Sequence, residues 1–293
     1  MGETLWKVGN RTVDLSRRSM IMGVLNVTPD SFSDGGEFFS TDKAVEHGLR
    51  MAQEGAQIID VGGESTRPGS EAVSTEEELR RVIPVIERLH DKIDPPSQRY
   101  GVAGILISID TSKSKVAEAA LDAGASIIND VSGGRNDEAM MPIAAKRNAA
   151  FIIMHMQGNP RTMQGDPRYV DVVGEVADFF RQQYARALES KIDPMAIAFD
   201  PGIGFGKTLA HNLDLIGNFS RLRTNERPLV VGVSRKSFLS KIVGSTEMED
   251  RVAATVALTA LLRERGANVL RVHDVKPNVQ ALRAAEAILE IAK

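Results

Sequence analysis

The sequence predicts an α/β fold, a single (β/α)8 TIM barrel with its active site at the C-terminal ends of the strands. The chain has 293 residues, a length that this fold commonly fills as one domain. Eight short apolar runs, most of them rich in Ile and Val, resemble the buried strands of a parallel sheet. Amphipathic segments separate these runs, as helices do in an alternating barrel. We therefore predict one domain over residues 1–293, with a doubly wound sheet of eight strands as the alternative.

The predicted strands and helices alternate along the whole chain. The strands are, in order, Met20–Val27, Gln57–Val61, Ile105–Asp110, Ser126–Val131, Ala150–Met156, Ala196–Asp200, Leu229–Ser234 and Val269–Val275. The helices are Asp42–Glu54, Thr75–Asp91, Ser112–Asp122, Val172–Ser190, Asp250–Arg265 and Asn278–Ala292. Thr75 and Glu78 have the spacing of a capping box, and Pro84 predicts a kink or a break in that helix. The stretch 94–100 contains two prolines, and we predict that it forms a surface loop and not a domain boundary.

Composition and charge exclude several classes of protein. The chain has 36 Lys and Arg against 39 Asp and Glu, and this balance argues against a dedicated nucleic-acid-binding protein. The absence of cysteine excludes disulfide scaffolds, zinc ribbons and thiol nucleophiles, and it fits a reducing compartment. No stretch approaches the roughly 18–20 uncharged apolar residues of a membrane span, and residues 1–19 lack an apolar targeting core. We therefore expect a cytoplasmic protein without nucleic-acid or membrane partners.

Polar residues are concentrated at the C-terminal ends of the predicted strands. These ends read Asn26-Val27-Thr28, Asp60-Val61-Gly62-Gly63, Ile109-Asp110-Thr111, Ile128-Asn129-Asp130, Met154-His155-Met156, Phe199-Asp200-Pro201-Gly202, Ser234-Arg235-Lys236 and Arg271-Val272-His273-Asp274. In a barrel these ends converge on one face. One Asp at a strand end is unremarkable, whereas carboxylates, amides, cations and a His at one end of eight strands indicate a site.

Two simpler site motifs are excluded by spacing. A nucleotide-binding P-loop ending in Gly206-Lys207-Thr208 needs its first glycine at the position of Pro201, so a flexible turn after the sixth strand is the better interpretation. The dinucleotide pattern fails as well, because Lys207 stands where its third glycine belongs. The five histidines show neither a pair four residues apart nor an HExxH motif, so they predict no metal site, and we interpret His155 as a packed strand residue.

Two groups of residues at the strand ends suggest specific ligands. Arg271 and His273 are two residues apart and should point to the same face of their strand, which suits an anion such as a phosphate; a structural salt bridge is the alternative. A purine-like or pterin-like ring offers an N–H and amino edge to a carboxylate such as Asp110 or Asp200, with Asn129 beside it. Asp110 taken alone could instead cap the helix that begins near Ser112.

Two long loops rich in glycine and hydroxyl groups follow the first two strands. They span Thr28–Ser40 and Glu64–Thr75. Such segments commonly act as mobile lids, since glycine lets them move and polar groups let them hold a ligand. Phe32, Phe38 and Phe39 would be costly in a simple solvent loop.

Read together, these motifs resemble the dihydropteroate synthase family along almost the whole chain. The segments at positions 22–36 and 60–69 are similar to the first and second signatures of that family. The remaining motifs follow in the family's order: Ile109-Asp110-Thr111, Asn129-Asp130, Met154-His155-Met156-Gln157-Gly158, Asp200-Pro201-Gly202-Ile203-Gly204-Phe205-Gly206-Lys207, Ser234-Arg235-Lys236-Ser237 and Arg271-Val272-His273-Asp274-Val275. The stretch 94–104 is longer than in the family and lies away from the predicted site.

The resemblance implies a folate-pathway transferase that joins 4-aminobenzoate to (7,8-dihydropterin-6-yl)methyl diphosphate, releasing pyrophosphate and 7,8-dihydropteroate. It implies catalytic roles for Asp110, Lys236, Arg271 and His273. It implies pterin contacts from Asp110, Asn129, Met154, Asp200, Phe205, Gly232 and Lys236, and diphosphate contacts from Asn26, Thr66, Arg271 and His273. Aminobenzoate would meet Phe32, Thr66, Arg67, Pro68, Lys236 and Ser237, and Ser33 and Asp34 would take part in loop closure. Mg²⁺ is the implied cofactor, with Asn26 as its protein ligand.

The implied chemistry starts with loss of pyrophosphate, which leaves a cation delocalised into the pterin for the amine to attack. The resemblance also suggests a homodimer formed through the late helices, and an enzyme that sulfonamides inhibit. The alternatives are a methyltetrahydrofolate-dependent methyltransferase, whose barrel is related but needs no residues that bind a diphosphate, and a pterin-binding protein without catalytic activity.

Overall fold

The computed structural model describes residues 3–28, 36–65, 72–93, 104–158, 163 and 165–291, and it contains the predicted barrel. The eight barrel strands are β3 (Met20–Asn26), β4 (Ile58–Gly62), β5 (Leu106–Asp110), β6 (Ile127–Asp130), β7 (Ala150–Met154), β8 (Ile197–Asp200), β9 (Val230–Gly232) and β10 (Val269–Val272). They form one parallel sheet in the order β8-β7-β6-β5-β4-β3-β10-β9. A parallel bridge between Phe199 and Leu229 brings β8 beside β9, which nearly closes the sheet on itself. The predicted TIM barrel is confirmed.

The helices of the described residues surround the sheet. They are α1 (Gly36–Gln53), α2 (Thr75–Ile93), α3 (Ser114–Asp122), α4 (Met140–Lys146), α5 (Val172–Glu189), α6 (Leu209–Gly217), α7 (Ser237–Val243), α8 (Asp250–Glu264) and α9 (Val275–Ile291). Six of them match the predicted helices in place. The other three, α4, α6 and α7, were not predicted; they are seven to nine residues long, as short as α3 or shorter.

The predicted capping box at the start of α2 is wrong. The Ser74 hydroxyl, not that of Thr75, accepts the Glu77 N–H at 3.1 Å. Pro84 lies inside α2 and does not break it, so of the two predicted effects the break is excluded. The alternative role of Asp110 as a cap of α3 is not found; the first N–H of that helix, on Ser114, is bound by a carboxylate oxygen of Asp137 at 2.8 Å.

An N-terminal hairpin that the sequence did not reveal closes the bottom of the barrel. Strands β1 (Leu5–Val8) and β2 (Arg11–Asp14) pair antiparallel. Trp6 is fully buried, and its indole N–H donates to the carbonyl of Ala196 at 3.1 Å, just before β8. The apolar cluster around it contains the first inward-facing residues of the barrel strands, among them Met22, Ile58 and Leu106. The hairpin therefore seals the N-terminal end and leaves the opposite end for a ligand.

Inside the barrel the side chains change from apolar to polar along the strands. Alternate residues of a strand face the same side, so Ile58, Asp60 and Gly62 of β4 share one face, as do Leu106 and Asp110 of β5. The first members of each series belong to the apolar cluster around Trp6. The last members lie at the C-terminal end, where the barrel interior is lined by polar groups and glycine.

Candidate active site

Strand pairing gathers the predicted site residues at one end of the barrel. Asn26, Gly62, Asp110 and Asn129 are successive pairing partners across β3, β4, β5 and β6. Met154 pairs with Asp200, and Gly232 pairs with Arg271, on the other side of the barrel. The predicted convergence of the strand ends therefore brings residues that lie far apart in sequence to one rim.

A network of charged side chains forms the deepest part of the site. Arg271 donates through Nε to Oδ2 of Asp60 at 2.6 Å and through Nη2 to Oδ2 of Asp110 at 2.7 Å. Asn129 donates through Nδ2 to the same oxygen of Asp60 at 3.1 Å. The predicted residues Arg271, Asp110 and Asn129 are thus joined directly or through Asp60. A structural salt bridge, the alternative role of Arg271, is present, and it lies within the site.

Burial and neighbouring charges shift the pKa values of this network in opposite directions. Burial raises the pKa of Asp110 to about 7, with repulsion from Asp60 adding to the effect and attraction from Arg271 opposing it. Burial alone would lower the pKa of Arg271, but the two carboxylates that it contacts raise that pKa above its ordinary value. Arg271 therefore keeps its charge, while Asp110 can change protonation near neutral pH.

Asp200 and Lys236 lie close enough in the site for their charges to interact. Asp200 is buried and accepts the Gly202 N–H through Oδ1 at 2.7 Å. Burial raises the Asp200 pKa, against the attraction of Lys236, and burial lowers the Lys236 pKa to about 8, against the attraction of Asp200. The Lys236 ammonium also donates to the carbonyl of Ile203. A charged acceptor and a charged donor thus lie together at the strand ends.

An apolar group lies beside this pair. Lys236 Nζ is 4.6 Å from the centroid of the Phe205 ring, within the range of a cation–π contact. Phe205 packs against a cluster that includes Met154 and Met156. A Cβ on Gly204 would lie 3.0 Å from Lys236 Cδ, and the residue has a φ of +84°, so glycine lets the lysine stem pass close to the backbone. Met154 and Phe205 are brought together as predicted for residues that contact a flat ring.

The glycine-rich turn after β8 is held in place by a buried lysine. Lys207 Nζ lies 3.0 Å from Nδ1 of His155 and 3.0 Å from the carbonyl oxygen of Phe205. Burial lowers the Lys207 pKa to about 7, and burial together with the Lys207 charge lowers the His155 pKa to about 2. A P-loop lysine reaches phosphate, whereas Lys207 points into the protein. His155 is buried immediately after β7, in line with its interpretation as a packed residue.

The last two strand ends are tied to each other by side chains. The Ser234 hydroxyl lies 3.1 Å from both the backbone nitrogen and Nδ1 of His273. Arg235, which has a φ of +58°, donates through Nε to Asp274 at 3.0 Å. These two contacts flank Lys236 on one strand end and His273 on the other, so they hold two predicted site residues in a fixed relation.

The described part of the chain contains no cluster of three or more His, Cys, Asp or Glu side chains that could hold a metal ion. Asn26 ends β3 at the rim, half-buried, and its side-chain amide has no hydrogen-bond partner among the described residues. Its oxygen is a ligand type that Mg²⁺ accepts, and Mg²⁺ commonly binds through one or two protein groups while retaining waters and taking phosphate oxygens. Asn26 therefore fits a metal brought in with a phosphorylated ligand, but not a metal cage made by the protein alone.

Several predicted site residues lie outside the described part of the chain. They are Phe32, Ser33, Asp34, Thr66, Arg67 and Pro68. The described residues on either side of the second loop are held by side-chain contacts. Glu64 accepts the Val73 N–H at 3.3 Å, which ties the two ends of the loop together. Glu64 also forms an ion pair with Lys113, and Lys113 forms a second ion pair with the buried Glu78. Ser237, the last predicted aminobenzoate contact, is exposed and is the first residue of α7.

Sequence reasoning assigned no role to three residues that the structure connects to the site, namely Asp60, Lys207 and Ser234. Asp60 has the same strand parity as Gly62, and a carboxylate two residues before a strand end in a barrel is a usable signal. Lys207 belongs to a motif noticed only for its failure to match a P-loop. Ser234 acts through a contact with a neighbouring strand, which no pattern in one sequence reveals.

Comparisons with known proteins agree with this geometry. Residues 22–273 match the model of a family described as pterin binding enzyme. A dihydropteroate synthase of Synechocystis is 43% identical over 96% of this chain and 94% of its own length. The structure of the Xanthomonas albilineans dihydropteroate synthase with 4-aminobenzoic acid has a TM-score of 0.88 and 42% identity, covering 98% of this chain and 99% of the other. A second structure from that organism, in complex with 7,8-dihydropteroate, has a TM-score of 0.84 and 40% identity and covers 97% and 98% of the two chains.

Proposed function

The chain belongs to the pterin-binding enzyme family, in its dihydropteroate synthase branch, and from this premise we propose how its side chains share the reaction. The reaction joins 4-aminobenzoate to (7,8-dihydropterin-6-yl)methyl diphosphate and releases pyrophosphate and 7,8-dihydropteroate. One observation carries the assignment of roles: the hydrogen-bond acceptors Asp110, Asn129 and Asp200 surround the same barrel mouth as the cations Lys236 and Arg271. The near-full-length similarity to synthases favours this function over the methyltransferase alternative.

Asp200 receives the amino edge of the pterin in this proposal. Its Oδ1 already holds the Gly202 N–H, and its second oxygen remains to accept ring N–H groups. Lys236 compensates the Asp200 charge and can donate to a ring oxygen or nitrogen. Phe205 and Met154 supply apolar contact for the ring faces, and Gly232 leaves room because a side chain there would enter the space beside Arg271.

The diphosphate lies toward Asn26, Arg271 and His273 in this proposal, with Thr66 as a further contact. Arg271 keeps its charge because two carboxylates hold it, and guanidinium groups suit phosphate oxygens. Asn26 would provide the protein ligand for Mg²⁺, and the ion, when bound, would supply positive charge beside the diphosphate. His273 is held by Ser234 near the same rim, where it can donate to the leaving group.

Bond breaking precedes bond making in the proposed mechanism. The bond between the pterin methylene carbon and the diphosphate oxygen breaks, and its electron pair leaves with pyrophosphate. The ring then carries a delocalised positive charge, which ionised Asp110 stabilises. The amine nitrogen of 4-aminobenzoate attacks the methylene carbon and then loses one proton, so the aminobenzoate needs positioning more than activation.

Aminobenzoate binds above the pterin in this proposal. Ser237 lies at the first turn of α7, directly after Lys236, where backbone N–H groups can donate to a carboxylate. Phe32, Arg67 and Pro68 would contact the aminobenzoate ring and Ser33 and Asp34 would help close the site, as the family resemblance implies.

The experiment that tests the function is a pyrophosphate-release assay. Purified protein is mixed with pterin diphosphate, 4-aminobenzoate and Mg²⁺, and each component is omitted in turn. We expect pyrophosphate and dihydropteroate in equal amounts only when all three are present. Pyrophosphate release without any dihydropteroate when all three components are present would contradict the transferase assignment. Full activity without any divalent cation would contradict the role of Asn26 and Mg²⁺.

We also propose a single domain over residues 1–293, a cytoplasmic location and a homodimer. Among the described residues, no helix is long and apolar enough to cross a membrane.

Helix α8 supports the dimer because it buries Thr255 and Thr259 while Leu261 is exposed, so its outer face is unusually apolar. Further exposed apolar residues lie on the neighbouring helices, at Ile242, Val243, Ile288 and Ile291. Light scattering should give twice the chain mass, and Leu261→Glu should halve that value; a monomeric wild type would refute the dimer.

A further inference from the structure

Asp60 occupies the centre of the charged network, although neither the family motifs nor the strand-end pattern gave it a role. Its side chain is fully buried on β4, one inward-facing position below Gly62. Its Oδ2 accepts from two groups at once, Nε of Arg271 at 2.6 Å and Nδ2 of Asn129 at 3.1 Å. Asp60 therefore joins the residue proposed for the diphosphate to a residue proposed for the pterin.

The first consequence of this contact concerns the Asn129 amide. A carboxylate paired with a guanidinium only accepts hydrogen bonds, so Asn129 must turn its NH2 group toward Asp60. The Asn129 Oδ1 then points away from Asp60. The ligand consequently meets an acceptor at Asn129 beside the acceptors of Asp110 and Asp200, and a ring edge that carries N–H donors is favoured.

The second consequence concerns the guanidinium of Arg271. Asp60 holds Nε and Asp110 holds Nη2, so two edges of the planar group are fixed. Within the described residues, Nη1 has no hydrogen-bond partner. The plane of the guanidinium and the direction of its remaining donors are therefore set by two carboxylates on adjacent strands.

We propose that Asp60 is a positioning residue that determines ligand specificity: through one oxygen it orients the Asn129 amide and the Arg271 guanidinium, so that the pocket selects a ring with N–H donors. This inference rests on the proposed function, because it takes the pterin pocket as given. It goes further by naming a residue that need not touch the substrate.

The free-energy cost of burying the Asp60 carboxylate supports a functional role for this residue. A fully buried carboxylate loses its hydration, and its Oδ1 has no hydrogen-bond partner in the described structure. Replacing buried ion pairs with apolar residues is often neutral or stabilising, so stability alone gives a weak reason for a carboxylate here. Orientation of Arg271 and Asn129 is a reason that an apolar residue could not supply.

The test compares Asp60→Leu, which removes the acceptor oxygen, with the matched control Ser108→Ala. Ser108 is the pairing partner of Asp60 on β5, equally buried, and its hydroxyl has no hydrogen-bond partner in the described structure. In Asp60→Leu neither Nε of Arg271 nor Nδ2 of Asn129 keeps its acceptor, so both groups lose their orientation. We expect the Kd of 6-hydroxymethyl-7,8-dihydropterin, measured by calorimetry, to rise about tenfold or more in Asp60→Leu and to change less than about twofold in Ser108→Ala.

Steady-state kinetics separate positioning from general loss of structure. We expect the KM for the pterin diphosphate to rise with the Kd in Asp60→Leu, while the KM for 4-aminobenzoate stays within about twofold of wild type. The preference for the 2-amino pterin over its 2-oxo counterpart, the 6-hydroxymethyl lumazine, should also fall, because a turned Asn129 amide no longer favours a donor. An unchanged pterin Kd, or an equal rise in both KM values, would overturn the proposal.

A pair of polar variants keeps the test decisive if Asp60→Leu does not fold. In Asp60→Asn the amide oxygen can take the place of Oδ2, and its NH2 group then takes the place of Oδ1, which has no partner in the described structure. In Asp60→Ser the hydroxyl is too short to reach both Arg271 and Asn129. We expect pterin affinity within about fivefold of wild type in Asp60→Asn and a loss of about tenfold or more in Asp60→Ser, and equal affinities in the two variants would overturn the proposal.

The wild-type protein distinguishes failure of this inference from failure of the proposed function. If wild type binds no pterin and releases no pyrophosphate, the proposed function is wrong and the role of Asp60 falls with it. If wild type binds and turns over while the Asp60 variants match it, only the positioning role is wrong.

Discussion

Replacing Asp200 with asparagine is the most direct perturbation of the proposed pterin pocket. Asp200 is buried, its Oδ1 accepts the Gly202 N–H at 2.7 Å, and its second oxygen faces no other hydrogen-bond donor among the described residues. In Asp200→Asn the amide oxygen of the new side chain would keep the Gly202 contact, which turns its NH2 group toward the ligand. The pterin N–H edge would then meet a donor in place of a charged acceptor.

The expected loss follows from these contacts. A hydrogen bond to a charged group contributes about 1.5–3 kcal/mol, and a buried donor left unpaired costs about 1–3 kcal/mol more. The sum is about 3 kcal/mol or more, which corresponds to at least roughly a 100-fold loss of pterin affinity. Lys236 loses its attracting partner as well, so its pKa should fall further below its ordinary value.

Calorimetric titration with 6-hydroxymethyl-7,8-dihydropterin measures this loss. Asp178→Asn is a matched control, because Asp178 is an exposed carboxylate on α5 that pairs only with Arg181 among the described residues. We expect wild-type affinity in the control and a thermal midpoint close to wild type in both variants. A Kd of Asp200→Asn within about threefold of wild type would refute the reasoning, since no charged acceptor could then be facing the ligand.

Three further perturbations test other parts of the site. Arg271→Lys should weaken binding of the pterin diphosphate by about tenfold or more and binding of the free pterin alcohol much less. The reason is that an ammonium group cannot replace a guanidinium group that is held at two edges. Equal losses of affinity for the two ligands, measured by calorimetry, would contradict the diphosphate role. The kcat/KM for the pterin diphosphate should fall as the pH drops below about 7, because protonation removes the Asp110 charge, and a flat profile down to about pH 5.5 would argue against that role. Gly202→Ala should lower the thermal midpoint and the pterin affinity together. Gly202 has a φ of +64°, and a Cβ there would lie 2.0 Å from the His155 carbonyl oxygen. A fully active and equally stable variant would show that the turn can shift.

Sulfonamides provide a test of the aminobenzoate subsite that needs no mutation. We expect a sulfonamide to raise the KM for 4-aminobenzoate without changing kcat. Inhibition that excess 4-aminobenzoate does not relieve would place the inhibitor outside the proposed subsite.

Much of the fold was predictable because the barrel repeats one local pattern. Most of the buried strands are short Ile- and Val-rich runs, and six helices show an apolar period in the sequence. The hairpin of β1 and β2 was not predictable, because strands of four residues carry little pattern and their burial depends on Trp6 meeting the bottom of a barrel built from distant segments. The cap of α2 was assigned to Thr75 and not to Ser74, since these neighbouring residues are chemically similar caps.

The candidate site was predictable as a set of residues but not as a set of contacts. Strand-end position selected Asp110, Asn129, Asp200 and Arg271, because barrel geometry makes such ends converge. Asp60 was named among the strand-end residues but received no role of its own, because it lies below the rim and acts through two other side chains. The protonation of Asp110 near pH 7 also depends on burial and on charges from other strands, which have no representation in local sequence.

The sequence by itself determined the barrel, the family and the end of the barrel at which the chemistry takes place. The barrel, the family and the end that carries the chemistry can be predicted from the periodicity of apolar residues and from the side-chain types at the strand ends, and a single sequence contains both. Only the tertiary structure decided which donor faces which acceptor: Arg271 between Asp60 and Asp110, the Asn129 amide turned toward Asp60, and Lys207 bound to His155. Hydrogen bonds act over about 3 Å and require aligned atoms, so residues far apart in the sequence acquire their partners only when the sheet closes.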